Sequence, residues 1–200
     1  KNVAYLKPQN LTNAEAAFYE PLGCCIRAVK RANLREHSTA LVIGLGSIGI
    51  LMAQALKAFG MNVVGCDLIS SRVELLKSLG IEAFKVTDMC ESIKADGVFM
   101  TSGSDKAIPT ALKYVRDGGK ILVFSSTPHN MGYANNEIYY RELTVLGSYS
   151  PSPADLYDSY NLLKNKEVKV MGLSSEYALD EVQNAINDTL DNKILKAYIK

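Results

Sequence analysis

A doubly wound α/β fold built on a six-stranded parallel sheet is the architecture this 200-residue sequence predicts. Three observations predict it. Short apolar runs of strand length alternate with helical stretches along most of the chain, the pattern of crossover-connected parallel strands. The first of these strands turns into a helix through Gly44, Gly46 and Gly49, a G-x-G-x-x-G spacing. The next strand ends on an acidic residue, Asp67, about 20 residues downstream of the turn.

The elements follow in order. Residues 3–6 read as a short strand. Thr12 and Glu15 fit a capping box for a brief helix. Glu20-Pro21 opens a second helix, with Pro at its first position and Glu as its cap, running to about Arg31. Strand one is 40–43, the amphipathic helix after it spans 48–59 up to Gly60, and strand two is 62–66. Ser71 to Glu74 caps the following helix, which Gly80 ends. Strand three lies near 82–86 and strand four at 97–101. A helix containing Pro109 follows, then Asp117-Gly118-Gly119 turns into strand five, 120–124, and strand six is 143–148. Ser152-Pro153-Ala154-Asp155 caps another helix, to about Lys164. Val182, Ala185, Ile186 and Leu190 line one face of a last helix, and 195–199 forms a final strand. Right-handed crossovers through six strands give the spatial order 3-2-1-4-5-6.

The glycine turn carries the chemistry. Gly44 permits the tight turn, Gly46 has no side chain to keep a pyrophosphate from the backbone, and Gly49 lets the helix pack close to the strand. Free N–H groups at the helix start, with the helix dipole, favour an anion. Asp67 offers a carboxylate to the hydroxyls of an adenosine ribose and would repel a 2′-phosphate, which predicts NAD rather than NADP. The competing readings are a tight turn with no ligand and, for the uncharged stretch 38–56, a membrane span. Its glycines, its Gln and its β-branched start argue against the span. Segments at the carboxyl ends of the strands (44–49, 67–72, 101–103, 125–130 and 147–150) are rich in Gly, Ser and Thr, as a polar cofactor cleft requires.

Hydrophobic content of 48%, charged content of 22% and a net charge of +1 suit a globular domain and give no electrostatic case for nucleic acid or a membrane surface. Cys24, Cys25, Cys66 and Cys90 show no Cys-x-x-Cys spacing, and no signal peptide is visible; a reducing, cytoplasmic setting is expected. There is no repeat or low-complexity segment. The chain opens at Lys1 on what reads as mid-fold sequence, so a start within a longer protein is expected.

Asn10-Leu11-Thr12, Glu15-Ala16-Ala17 and Glu20-Pro21-Leu22, then Val42 to Gly49, Asp117-Gly118-Gly119, Arg141-Glu142-Leu143-Thr144-Val145 and Gly147-Ser148 together resemble the medium-chain zinc-dependent alcohol dehydrogenase superfamily, nearest its polyol, sorbitol and threonine dehydrogenase branch. The resemblance covers essentially the whole chain. It implies a Rossmann cofactor domain over 21–172, flanked by remnants of a GroES-like catalytic domain at 1–20 and 173–200. The family's first Cys, its His-Glu zinc ligands and its four-cysteine lobe have no counterpart here.

By that resemblance Gly44, Gly46, Ser47, Ile48 and Gly49 hold the pyrophosphate, Asp67 the adenosine ribose, and Arg72 lies beside the adenine. Thr101, Ser102, Gly103 and Ser125 line the nicotinamide side, and backbone groups of Ser148 and Tyr149 contact the carboxamide. Glu20 matches an acidic position at the catalytic zinc; its competing reading is a helix cap. Departures from the family pattern are His37 and Ser125 where glycines are usual and Thr101 where Cys is common. The implied chemistry is hydride transfer from a secondary alcohol or polyol to NAD with zinc assistance in a full-length enzyme, while this chain alone binds NAD without oxidising alcohols. A homodimer or tetramer through strand 143–148 is also implied.

Two other functional readings stand beside it. Tyr160-x-x-x-Lys164 fits the pair of short-chain dehydrogenases, with a solvated helix face as the plain alternative. A non-catalytic NAD-sensing module would begin near strand one, whereas this chain has a helical lead-in from Thr12 to Arg31. His129 reads as an exposed loop residue that could reach the cleft.

Overall fold

The computed structural model describes residues 3–126 and 135–200. A parallel six-stranded sheet runs β3 (Glu82–Lys85), β2 (Asn62–Asp67), β1 (Thr39–Ile43), β4 (Ala95–Met100), β5 (Val115–Val123), β6 (Thr144–Gly147), which is the expected 3-2-1-4-5-6 order. β1 sits in the middle, with Ala40 opposite Val63 of β2 and Gly97 of β4. Central strands buried on both faces need apolar side chains at every position, and Ala40 to Ile43 are all buried.

Helices cover both faces. On one, α2 (Tyr19–Ala32) and α3 (Ser47–Ala58) pack on the sheet with α7 (Pro153–Lys164) outside them. Leu22 and Ile26 of α2 are fully buried there, each contributing about 1.5–3 kcal/mol of burial. The other face holds α5 (Ala107–Tyr114) against Leu41, Val98 and Ile121. α3 is not amphipathic as its sequence suggests: Gly49 through Leu56 are all buried, because α2 covers the face turned away from the sheet. Its polar Gln54 is satisfied by backbone, donating to the Lys169 carbonyl at 2.9 Å and accepting from the Lys169 N–H at 2.8 Å.

Local signals hold at several places. The Thr12–Glu15 box is present and starts α1 (Asn13–Ala16), and the Ser152–Asp155 box starts α7. Both box carboxylates are held below their usual range, Glu15 chiefly by the Thr12 N–H it accepts. Burial would raise the Asp155 carboxyl, but hydrogen bonds from Ser152 and Lys30 prevail and hold it below the usual range. His37, standing where glycine is usual, has φ 63°, the left-handed conformation glycine adopts without strain.

Several expectations are corrected. Residues 3–6 form no strand; Tyr5 instead stacks on Tyr160 at 4.9 Å, and the Val3 carbonyl accepts from Tyr19 Oη at 2.9 Å. Glu20 is not a cap, since Phe18 is the N-cap of α2 and Glu20 lies in its first turn. Ser71 caps nothing: α4 (Ser70–Ser78) begins before it, at an Ile69 whose N–H is taken by Asp67 Oδ1 at 2.8 Å. β5 starts before the Asp-Gly-Gly bend, which shifts the β4–β5 register, with Gly118 at φ 68°. A short α6 (Asn135–Tyr140) precedes β6. Beyond α7, β7 (Ser175–Tyr177) and β8 (Ala197–Ile199) pair in parallel as a separate two-stranded sheet beside α8 (Val182–Leu190). Of the apolar face expected on α8 only Ala185 is buried; Val182, Ile186 and Leu190 are exposed. Among the described residues no helix is long and apolar enough to cross a membrane.

Candidate functional site

β1 ends at Ile43 and the chain reverses into α3 within three residues, Gly44 to Gly46. Gly44 has φ 93°, and a Cβ there would press on Ser102. Its N–H donates to the Cys66 carbonyl at 2.8 Å, which joins the turn to β2. Gly49 lies against the turn so closely that a Cβ would overlap the Gly44 carbonyl oxygen. Thr101 Oγ1, at the end of β4, donates to that same oxygen at 2.7 Å. Gly46 differs from both. It is the N-cap of α3 without a side-chain cap, and among the described residues a Cβ there would meet nothing within 4 Å. Ser47 and Ile48 complete the first helical turn, half-buried. Among the described residues no side chain caps the first N–H groups of α3, which lie at the carboxyl end of the sheet.

Asp67 is buried at the end of β2. Its Oδ2 accepts from the Leu45 N–H at 2.6 Å and its Oδ1 from the Ile69 N–H, so the carboxylate braces the glycine turn. Arg72 Nη1 stands 3.6 Å from Oδ2.

On the other side of β1, Thr101, Ser102 and Gly103 follow β4, and Ser125 Oγ at the end of β5 donates to the Ser102 carbonyl at 2.9 Å. Ser125 and Ser148 share a cleft of about 620 Å³ with Arg31, Phe124, Gly147 and Tyr149. Arg31 Nε crosses from α2 to donate to the Gly147 carbonyl at 2.9 Å. Ser148 Oγ is buried without a hydrogen-bond partner among the described residues, and Tyr149 is 95% exposed. Arg31 carries no motif; only its place on the helix packed beside the sheet puts it here. The structure thus brings Gly44 to Gly49, Asp67, Arg72, Thr101 to Gly103, Ser125, Ser148 and Tyr149 to one end of one sheet. His129 lies outside the described residues.

Glu20 is exposed on α2, where Cys24 Sγ donates to its Oε1 at 3.2 Å. Partial burial, with that carboxylate beside it, pushes the Cys24 thiol up to about 12. Among the described residues no three His, Cys, Asp or Glu side chains come together as a metal site. The Tyr160–Lys164 pair stands apart from the cleft. It lies roughly two turns along α7, with Tyr160 against Tyr5 and Lys164 Nζ 5.7 Å from the Tyr160 ring.

A dinucleotide fits this arrangement: a glycine-lined helix start open to an anion, a carboxylate at the next strand end, and a polar cleft on the far side of β1. A zinc ion does not find a ligand set among the described residues.

Comparison with known proteins agrees with the geometry. The family model described as "zinc-binding dehydrogenase" matches residues 47–165. The sorbitol dehydrogenase of Bacillus subtilis is 28% identical over an alignment covering all of this chain and 60% of that protein. An acetophenone reductase from Geotrichum candidum, solved in complex with NAD, superposes with a TM-score of 0.87 at 24% identity, over 98% of this chain and 58% of that one. A zinc-binding dehydrogenase from Sinorhizobium meliloti, bound to NADP, gives 0.86 at 22% identity, over 98% and 61%. The chain belongs to the zinc-binding dehydrogenase family. It spans about 60% of the length of the relatives it matches.

Proposed function

We propose that this chain is the cofactor-binding portion of an NAD-dependent, zinc-type alcohol or polyol dehydrogenase. The observation that carries the proposal is Gly46: among the described residues no side chain caps the start of α3 and none lies within 4 Å of the Gly46 Cβ position, at the carboxyl end of the sheet. In this reading Gly44, Gly46, Ser47, Ile48 and Gly49 hold the pyrophosphate by backbone, and Asp67 takes the adenosine ribose with Arg72 beside the adenine. Thr101, Ser102, Gly103 and Ser125 line the nicotinamide side, with Ser148 and Tyr149 at the carboxamide. The bound nicotinamide supplies the hydride acceptor. The chain's own residues orient it: Thr101 fixes the turn carbonyl, and Ser125 fixes the Ser102 carbonyl across the cleft.

Glu20 is the residue this chain would offer toward zinc. Among the described residues no further metal ligands stand beside it. Residues 21–172 are the cofactor unit, and 1–20 and 173–200 belong to the catalytic domain. β6, an edge strand whose Val145 is exposed, is the candidate dimer or tetramer seam. Four free cysteines and the absence of a membrane-crossing helix among the described residues suit a reducing, cytoplasmic setting.

The preference for NAD rests on Asp67, whose buried charge opposes a 2′-phosphate. Calorimetric titration of this chain with each dinucleotide tests it. NAD is expected to bind and NADP to bind at least about tenfold more weakly, a 1.4 kcal/mol difference. No binding of either overturns the proposal. Alcohol turnover by this chain alone overturns the assignment of the metal site to other parts of the protein.

A further inference from the structure

The adenosine end of the cleft is closed by residues from distant parts of the chain. Arg72, in the first turn of α4, turns one guanidinium nitrogen toward Asp67. Its other nitrogen, Nη2, donates to Asn192 Oδ1 at 2.7 Å. Asn192 sits in the loop between α8 and β8, outside the six-stranded sheet. That loop is braced. The Asn192 N–H donates to the Thr189 carbonyl at 3.2 Å, and Lys193 pairs with Asp188 and Asp191 at 3.0 and 3.1 Å. Asn192 has φ 57°, a left-handed conformation that Asn adopts more readily than most residues.

A guanidinium fork beside a ribose is well suited to grip a 2′-phosphate with two parallel hydrogen bonds. Here the fork is engaged at both ends, by Asp67 on one side and Asn192 on the other. We infer that Asn192 is a positioning residue for cofactor choice: its hydrogen bond to Arg72 withholds the guanidinium from a 2′-phosphate and so favours a dinucleotide with a free 2′-hydroxyl. The inference rests on the reading that the adenosine ribose lies at Asp67. It assigns part of the selectivity to the C-terminal segment, not to the glycine-turn unit alone.

Asn192→Gly tests it cleanly, because glycine keeps the left-handed backbone while removing the acceptor. Asn192→Asp keeps an acceptor and adds a charge facing Arg72. The readout is the ratio of NADP to NAD dissociation constants by calorimetry, with the melting temperature followed in parallel. Asn192→Gly is expected to shift the ratio about tenfold toward NADP. Asn192→Asp is expected to hold or widen the wild-type preference for NAD. In an Arg72→Met background, Asn192→Gly is expected to leave the ratio unchanged, as a coupled pair requires. An unchanged ratio in Asn192→Gly, with the wild type binding NAD, overturns the inference and leaves the proposed function standing. A shift that persists without Arg72 also overturns it. A wild type that binds neither dinucleotide overturns both.

Discussion

The two ends of the parallel sheet are both polar, yet they are built in opposite ways. At the amino end the charges close on one another. Asp96 accepts from the Thr39 N–H at 2.8 Å and from Arg116 Nε at 2.6 Å. Arg141 bonds Asp117, Glu137 and the carbonyls of Leu112 and Val115, tying the start of β5 to α5 and α6. The hollow there is the larger of the two, about 800 Å³ against about 620 Å³ at the Ser125–Ser148 cleft. The arginines and carboxylates that line it are already paired. At the carboxyl end, among the described residues, nothing lies within 4 Å of the Gly46 Cβ position, Ser148 Oγ lacks a partner and Tyr149 is exposed. Size and polarity do not separate a brace from a site here. Asp67, Arg72 and Ser125 at the carboxyl end are paired as well; what sets that end apart among the described residues is the uncapped start of α3 and the unpartnered Ser148 Oγ.

Substitutions can break that contrast or sharpen it. The largest effect is expected at Gly49, where a side chain would collide with the Gly44 backbone. Gly49→Val should cost about 3 kcal/mol or more by urea unfolding, because backbone cannot move aside as a flexible side chain can. That result would show that the carboxyl end also contains a brace.

Arg141→Ala comes next. It removes a partly buried guanidinium with four partners, an expected loss of about 2 kcal/mol in unfolding free energy, while the NAD dissociation constant stays within about twofold. A change in affinity without a change in stability would reverse the assignment of the two ends.

The smallest effect is one of pH. Burial would raise the Asp96 carboxyl, but Arg116 and the Thr39 N–H outweigh it and hold it below the usual range. A depressed native pKa adds stability that is fully present above the unfolded carboxylate value, about 3.9, and is lost as pH falls through the native value. Thermal melts should therefore show an acid limb below about pH 4 that Asp96→Asn flattens. An unaltered limb would mean that other carboxylates set it.

Much of this was legible in the sequence, for physical reasons. Apolar runs such as 40–43, buried on both faces, and glycines at the required spacing point to the strand order and to the end of the sheet that carries the candidate site. The failures are equally local. Residues 3–6 have strand-like composition, but a strand needs a partner, and Tyr5 found Tyr160 instead. Ser71 resembles a cap, yet the Asp67 carboxylate had already organised the backbone at Ile69. α3 reads as amphipathic because sequence does not show that α2 will cover its second face. Six residues with two tyrosines and no apolar period gave no sign of α6. Arg31 at Gly147 and Arg72 at Asn192 are tertiary meetings that no local period encodes.

Gly46→Val tests the central claim most directly, because no described residue comes within 4 Å of its Cβ position and its φ of −65° suits any residue. Unfolding free energy and the NAD dissociation constant should be measured on the same preparation. The expected result is stability within about 0.5 kcal/mol of wild type together with at least about a tenfold loss of NAD affinity. Wild-type affinity in a stably folded Gly46→Val variant would contradict the account, since the pyrophosphate could then not lie over the start of α3.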